Sequence, residues 1–179
     1  MTATKTRSLI RNLTASAVCL ALCLLLPFLT GQIPTFGSML APMHLPILLC
    51  GFICGWQYGL AVGFAAPLLR SLLFAMPPMV PTALIMAFEL AAYGVATALL
   101  YRALPKKPAY VYVSLIAAML IGRAVWGVAA FCIYGALGIE FGWGIFWAAV
   151  FTKAWPGMLV QLILIPSIVL AMRKSNLMV

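Results

Sequence analysis

Six apolar stretches dominate the chain, at residues 13–29, 39–55, 60–76, 82–101, 110–137 and 145–172, with only short turn-rich or basic segments between them. An α-helix rises about 1.5 Å per residue, so about 20 apolar residues cross a hydrocarbon layer ~30 Å thick. Of the 179 residues 66% are hydrophobic and 7% charged, whereas a soluble domain carries about 25% charge. No soluble fold of this length hides so much apolar surface. Secreted disulfide scaffolds, disordered tails and ordinary soluble enzymes are excluded. The expected fold is an all-α integral membrane protein, one membrane domain built as a six-helix transmembrane bundle in the cell membrane.

The first run follows Lys5, Arg7 and Arg11 and has the look of a signal peptide, but its length and the spans after it make it the first span. Pro42 and Pro46 should kink the second span or delay its start. Residues 55–59, GWQYG, read as a tight turn, and Pro77, Pro78 and Pro81 force a break before the fourth span. A bend is expected in the sixth span at Pro156 and Gly157.

Net charge is +9, and its distribution is a topology signal. Lys5, Arg7 and Arg11 precede the first span, Arg102, Lys106 and Lys107 follow the fourth, and Arg173 and Lys174 follow the sixth. With six spans, all eight fall on one side, and the opposite loops (30–38, 76–81 and 138–144) hold no Lys or Arg. Excess Lys and Arg marks the cytoplasmic side, so both termini are expected inside. The basic charge therefore describes insertion into lipid and implies no nucleic-acid partner.

Arg70, Glu89, Arg123 and Lys153 lie inside spans. Ionisable residues in hydrocarbon are costly, face the bundle interior and mark functional sites. Counting from the outer ends at ~1.5 Å per residue puts all four roughly 9–12 Å deep. His44 falls in the same outer half, so five helices converge on one layer. Three cations face one anion there, and buried unpaired charge is expensive. A small carboxylate or phosphate ligand arriving from outside would balance it, with Arg123 and Lys153 recognising charge. Arg70 and Glu89 are expected to pair. Tyr93, one turn from Glu89, and Trp126, beside Arg123, are expected to wall the site; Gln161 continues the stripe of Lys153 and Gly157.

Each of these residues also has a plainer reading. Arg70 near a helix end reaches headgroups by snorkelling, Glu89 bridges helices, His44 starts a helix, and the aromatics pack the core. Cys19, Cys23, Cys50, Cys54 and Cys132 all sit in apolar runs and read as small buried residues, with no metal site. Gly51, Gly55, Gly59 and Gly63 recur every four residues, a spacing that lets helices approach closely in lipid. Ala17 and Ala21 form a similar small surface. No serine-hydrolase, zinc-protease or phosphate-loop motif is present, and two acids and one histidine leave little for acid–base catalysis. The chain is not expected to be an enzyme.

Residues 41–52 (APMHLPILLCGF), 58–63 (YGLAVG), 67–70 (PLLR), 76–78 (MPP) and 86–94 (MAFELAAYG) together resemble the substrate-binding S component of energy-coupling factor (ECF) transporters. The resemblance is close over spans two to four and extends to length and span count. It implies capture of a vitamin from outside, with no cofactor in this chain. The implied partners are a membrane coupling subunit and two ATPases that use ATP, and the S component topples in the membrane to release its load. It also implies that Ala17 and Ala21 dock the coupling subunit and that residues 30–38 help cover the ligand. The MHLP and MAFEL segments look most like pantothenate-type members, and pantothenate is a small carboxylate. Two rivals remain at this stage: a rod-shape scaffold subunit without a ligand, and an intramembrane enzyme using Glu89 or Lys153.

Overall fold

The computed structural model describes residues 2–29, 41–140, 142–147 and 155–175. Among them all regular structure is helical: α1 (Thr2–Leu29), α2 (His44–Cys54), α3 (Trp56–Phe74), a π-helical turn (Met79–Ala83) leading into α4 (Leu84–Ala103), α5 (Pro108–Ala136), the short α6 (Trp143–Trp147) and α7 (Trp155–Lys174). Five helices are long and apolar enough to cross a membrane: α1, α3, α4 with its leading turn, α5 and α7. Their outward faces carry Leu, Ile, Val and Phe exposed to the surroundings, such as Leu13, Leu72, Leu120 and Ile163. In lipid this is the stable arrangement, because hydrocarbon solvates those side chains while the helix satisfies its own backbone.

One expected span is corrected. The second is not a helix over 39–55. Its described part is α2, whose 11 residues reach only about 16 Å. Pro42 and Met43 form a turn and His44 opens the helix, so the prolines delay the start rather than kink a longer rod. The sixth expected span, 145–172, holds α6 and α7 on either side of residues 148–154, which lie outside the described residues. Pro156 is the second described residue of α7, so the expected bend there borders residues outside the described ones. The tight turn shrinks to a single residue. Gly55, with φ +94°, reverses the chain between α2 and α3, a backbone geometry that side-chain-bearing residues rarely adopt. The break before α4 stands: Ala75 ends α3 in a left-handed conformation and Val80 is extended.

The most buried long helix is α4. It packs against α3, α5 and α2, and α1 lies outside α2 and α3. Glycine sets the α3–α4 spacing. A methyl group added at Gly59 would sit 2.8 Å from the Gly94 carbonyl oxygen, one at Gly51 would sit 2.6 Å from the same atom, and one at Gly63 would strike the backbone of Leu90. Three glycines of the expected stripe thus press on one helix, and the fourth, Gly55, makes the turn.

From α1 to α4 the helices alternate in direction, so α1 runs with α3 and α2 runs with α4. Phe28 of α1 meets Phe74 of α3 at one end, with ring centroids 4.9 Å apart. Phe52 of α2 meets Tyr101 of α4 at the other, at 5.0 Å. Cys19 and Cys23 face the core, as do Cys50 and Cys54, and all four are buried; Cys132, by contrast, is exposed on α5. The expectation that every cysteine is buried fails there because the outward face of α5 turns to lipid.

Candidate functional site

Glu89 lies on α4 near the middle of the bundle and is 2% exposed. Its carboxylate Oε1 is 3.0 Å from Arg123 Nη1 on α5 and 3.6 Å from His44 Nε2 at the start of α2. Tyr93, one turn further along α4, is 1% exposed. Its ring stands edge-on to His44, with centroids 5.3 Å apart. Three helices therefore bring one carboxylate, one guanidinium, one imidazole and one phenol together.

The local sequence explains the placement. Because α2 begins at His44, the imidazole enters the bundle at a helix start, and the backbone N–H of His44 donates to the Ala41 carbonyl at 3.0 Å. Gly122 precedes Arg123 on α5. A methyl group there would fall 2.8 Å from Tyr93 Cζ, so its absence lets the phenol ring lie against α5. Gly122 is a site residue that the sequence reading missed, and the available signal was its position directly before a buried arginine.

The cluster holds together without saturating its polar atoms. His44 Nδ1 and Nε2, Glu89 Oε1 and Arg123 Nε are buried and have no aligned hydrogen-bond partner. The Glu89–Arg123 contact is thus a close ion pair without the directional geometry of a hydrogen bond. Buried polar groups are nearly always hydrogen-bonded, and a site that leaves four such atoms open has capacity for a polar ligand.

Arg70 does not belong to this cluster, so the expected Arg70–Glu89 pair is corrected. Its guanidinium is buried, donates to the Leu24 carbonyl of α1 and lies 4.9 Å and 5.4 Å from the rings of Phe28 and Phe74. The register of α3 on α4 gives the reason. Gly63 abuts Leu90, next to Glu89, and Arg70 is seven residues further along α3, about 10 Å away. The charge count changes with it: the described cluster holds one anion against Arg123 and His44, and Arg70 is stabilised by a carbonyl and two aromatic faces instead.

The remaining candidates are placed separately. Trp126 of α5 stacks at 6.3 Å on Phe146 of α6. Gln161 is buried on the inward stripe of α7 that also holds Gly157, Ile165 and Val169. Lys153 and the loop 30–38 lie outside the described residues. Ala17 and Ala21 are exposed on α1, on the side away from the buried Ser16, Cys19 and Cys23. No group of three metal-ligating side chains is found among the described residues.

A lipid-facing bundle with a buried, incompletely satisfied polar cluster defines a multi-pass membrane protein with a polar core. Residues 11–169 match the family described as "ECF transporter, substrate-specific component", and the chain belongs to that family. No curated protein and no solved structure matches the chain. The protein is therefore an integral component of the cell membrane, of a family whose members bind a transported small molecule and associate with an ECF module of coupling and ATPase subunits. It is not an enzyme family, and membership does not favour the scaffold alternative.

Proposed function

We propose that the protein captures a small carboxylate-bearing vitamin from outside the cell and presents it to the ECF module, whose ATPases supply the energy of uptake from ATP. The observation that carries this reading is the buried Arg123–Glu89 pair with open hydrogen-bonding atoms around it. Glu89 holds the guanidinium in place from one side. Arg123 Nε and the imidazole nitrogens of His44 remain for a ligand carboxylate and its neighbouring polar groups. Arginine suits this task because its planar fork matches a carboxylate. Tyr93 forms a wall, and Lys153 is assigned as a second cation. Gln161 and Trp126 are assigned to the outer lining.

Pantothenate is the first candidate: it carries one carboxylate, hydroxyls and an amide, and the MHLP and MAFEL segments of α2 and α4 resemble pantothenate-type members. Both termini are assigned to the cytoplasm on the distribution of Lys and Arg. Ala17 and Ala21, exposed on α1, are assigned to the coupling subunit, since small residues allow close helix contact.

The test is uptake of radiolabelled pantothenate, niacin, folate, riboflavin and pyridoxine by cells expressing the protein with an ECF module. Uptake of a carboxylate vitamin that needs both the protein and the module supports the reading. Uptake confined to an uncharged vitamin contradicts the role given to Arg123.

A further inference from the structure

A second set of cations gathers at the end of the bundle that holds the C-termini of α4 and α7. Tyr101, in the last turn of α4, is buried against Phe52. The chain turns after α4, and Lys106 folds back over it. Its ammonium lies 3.7 Å from the Tyr101 ring centroid and donates to the Tyr101 carbonyl oxygen. Lys106 is thus held against the end of α4.

Arg173, in the last turn of α7, has a buried Nη1 with no hydrogen-bond partner. Burial lowers the Lys106 pKa below its ordinary value, and repulsion from Arg173 and Arg102 lowers it further. Both guanidiniums therefore bear on the Lys106 ammonium. Cations near helix C-termini interact well with the backbone carbonyls, which accounts for Lys106 on Tyr101. Capping does not account for an unpartnered guanidinium nitrogen or for the crowding of like charges.

The chain has two acidic side chains. Glu89 is committed to Arg123 and His44. Glu140 is exposed beyond the C-terminus of α5, the end opposite to the α4–α5 loop that carries Lys106. No acidic side chain of this protein serves the Arg102, Lys106 and Arg173 cluster. Transmembrane helices end where headgroups begin, and an aromatic residue such as Tyr101 suits that depth. The anion that lipid supplies there is phosphate, which guanidinium and ammonium groups bind well. Basic pockets between transmembrane helices at this depth hold anionic headgroups.

We propose that Arg102, Lys106 and Arg173 form a binding site for the phosphate of an anionic phospholipid headgroup. The site is separate from the Glu89 cluster and does not depend on the transported ligand.

The test is native mass spectrometry of the full chain released from nanodiscs of equal phosphatidylglycerol and phosphatidylcholine. Wild type should retain phosphatidylglycerol in preference. K106Q/R173Q should lower that preference by about tenfold, and Lys106→Gln alone, at an exposed position, should lower it in part. R7Q/R11Q removes two cations from the start of α1 and should leave the preference intact. Absence of a preference in wild type, its survival in K106Q/R173Q, or an equal loss in R7Q/R11Q would overturn the proposal, the last by showing a diffuse surface field. Displacement of the lipid by added inorganic phosphate would also overturn it, by assigning the site to the free ion.

Discussion

Arg123 Nη1 and Glu89 Oε1 stand 3.0 Å apart across the α4–α5 seam, and Glu89 is almost sealed from its surroundings. Neither residue is tolerable there alone. A single charge left in the bundle faces a desolvation cost of several kcal/mol, whereas the pair offsets much of it. The pair also fixes the orientation of the guanidinium, which is what a site for a carboxylate needs.

The two residues should therefore be strongly coupled in stability. Glu89→Gln or Arg123→Gln alone should each cost about 3–5 kcal/mol, because the partner stays buried and charged. The double variant should cost less than the sum of the two. Thermal unfolding of the purified chain in detergent measures this, and additive losses would show that the ion pair is unimportant.

Gly122→Ala should disturb the site without touching any charge. The new methyl group meets Tyr93 Cζ at 2.8 Å, and the ring also packs edge-on to His44. Overpacking of this kind costs about 1–3 kcal/mol. Ligand affinity should fall as Tyr93 and His44 shift. Gly135→Ala, in open space on the same helix, should change neither quantity.

Arg70 separates stability from binding. Arg70→Met keeps the aliphatic bulk between Phe28 and Phe74 and removes the charged bond to the Leu24 carbonyl. The expected loss is about 1.5–3 kcal/mol of stability, with ligand affinity of the folded fraction unchanged. A large drop in affinity at constant stability would return Arg70 to the ligand site.

Bulky residues at Ala17 and Ala21 point away from the bundle, so Ala17→Leu with Ala21→Leu should fold and bind ligand normally. Transport in vesicles containing the ECF module should be lost, because a close helix contact cannot form over leucine. Normal transport would remove this face of α1 from the docking surface.

The helical character and most of the spans were legible because a hydrocarbon solvent demands long apolar runs. Glu89, Arg123, His44 and Tyr93 were legible for the complementary reason: polar side chains in such runs are rare and must meet one another. Helix register was not legible. Depth counted from span ends placed Arg70 level with Glu89, and only the Gly59–Gly94 and Gly63–Leu90 contacts reveal the offset of about two turns along α3. The delayed start of α2 was legible in Pro42 and Pro46, but the choice between delay and kink was not, because it depends on backbone geometry such as the positive φ of Ala41. Gly122 was invisible for a different reason. A glycine declares its role only through the side chain that occupies its empty space.

The central claim is that the Glu89, Arg123 and His44 cluster holds the transported molecule. Mass spectrometry of small molecules that co-purify with the detergent-extracted protein tests it most directly, with Arg123→Ala as control and size-exclusion chromatography to select folded protein. The account predicts a carboxylate-bearing vitamin with the wild type and at least about a tenfold loss with the variant, a difference of ~1.4 kcal/mol or more. The same vitamin bound equally by folded Arg123→Ala would contradict it and place the ligand elsewhere in the bundle.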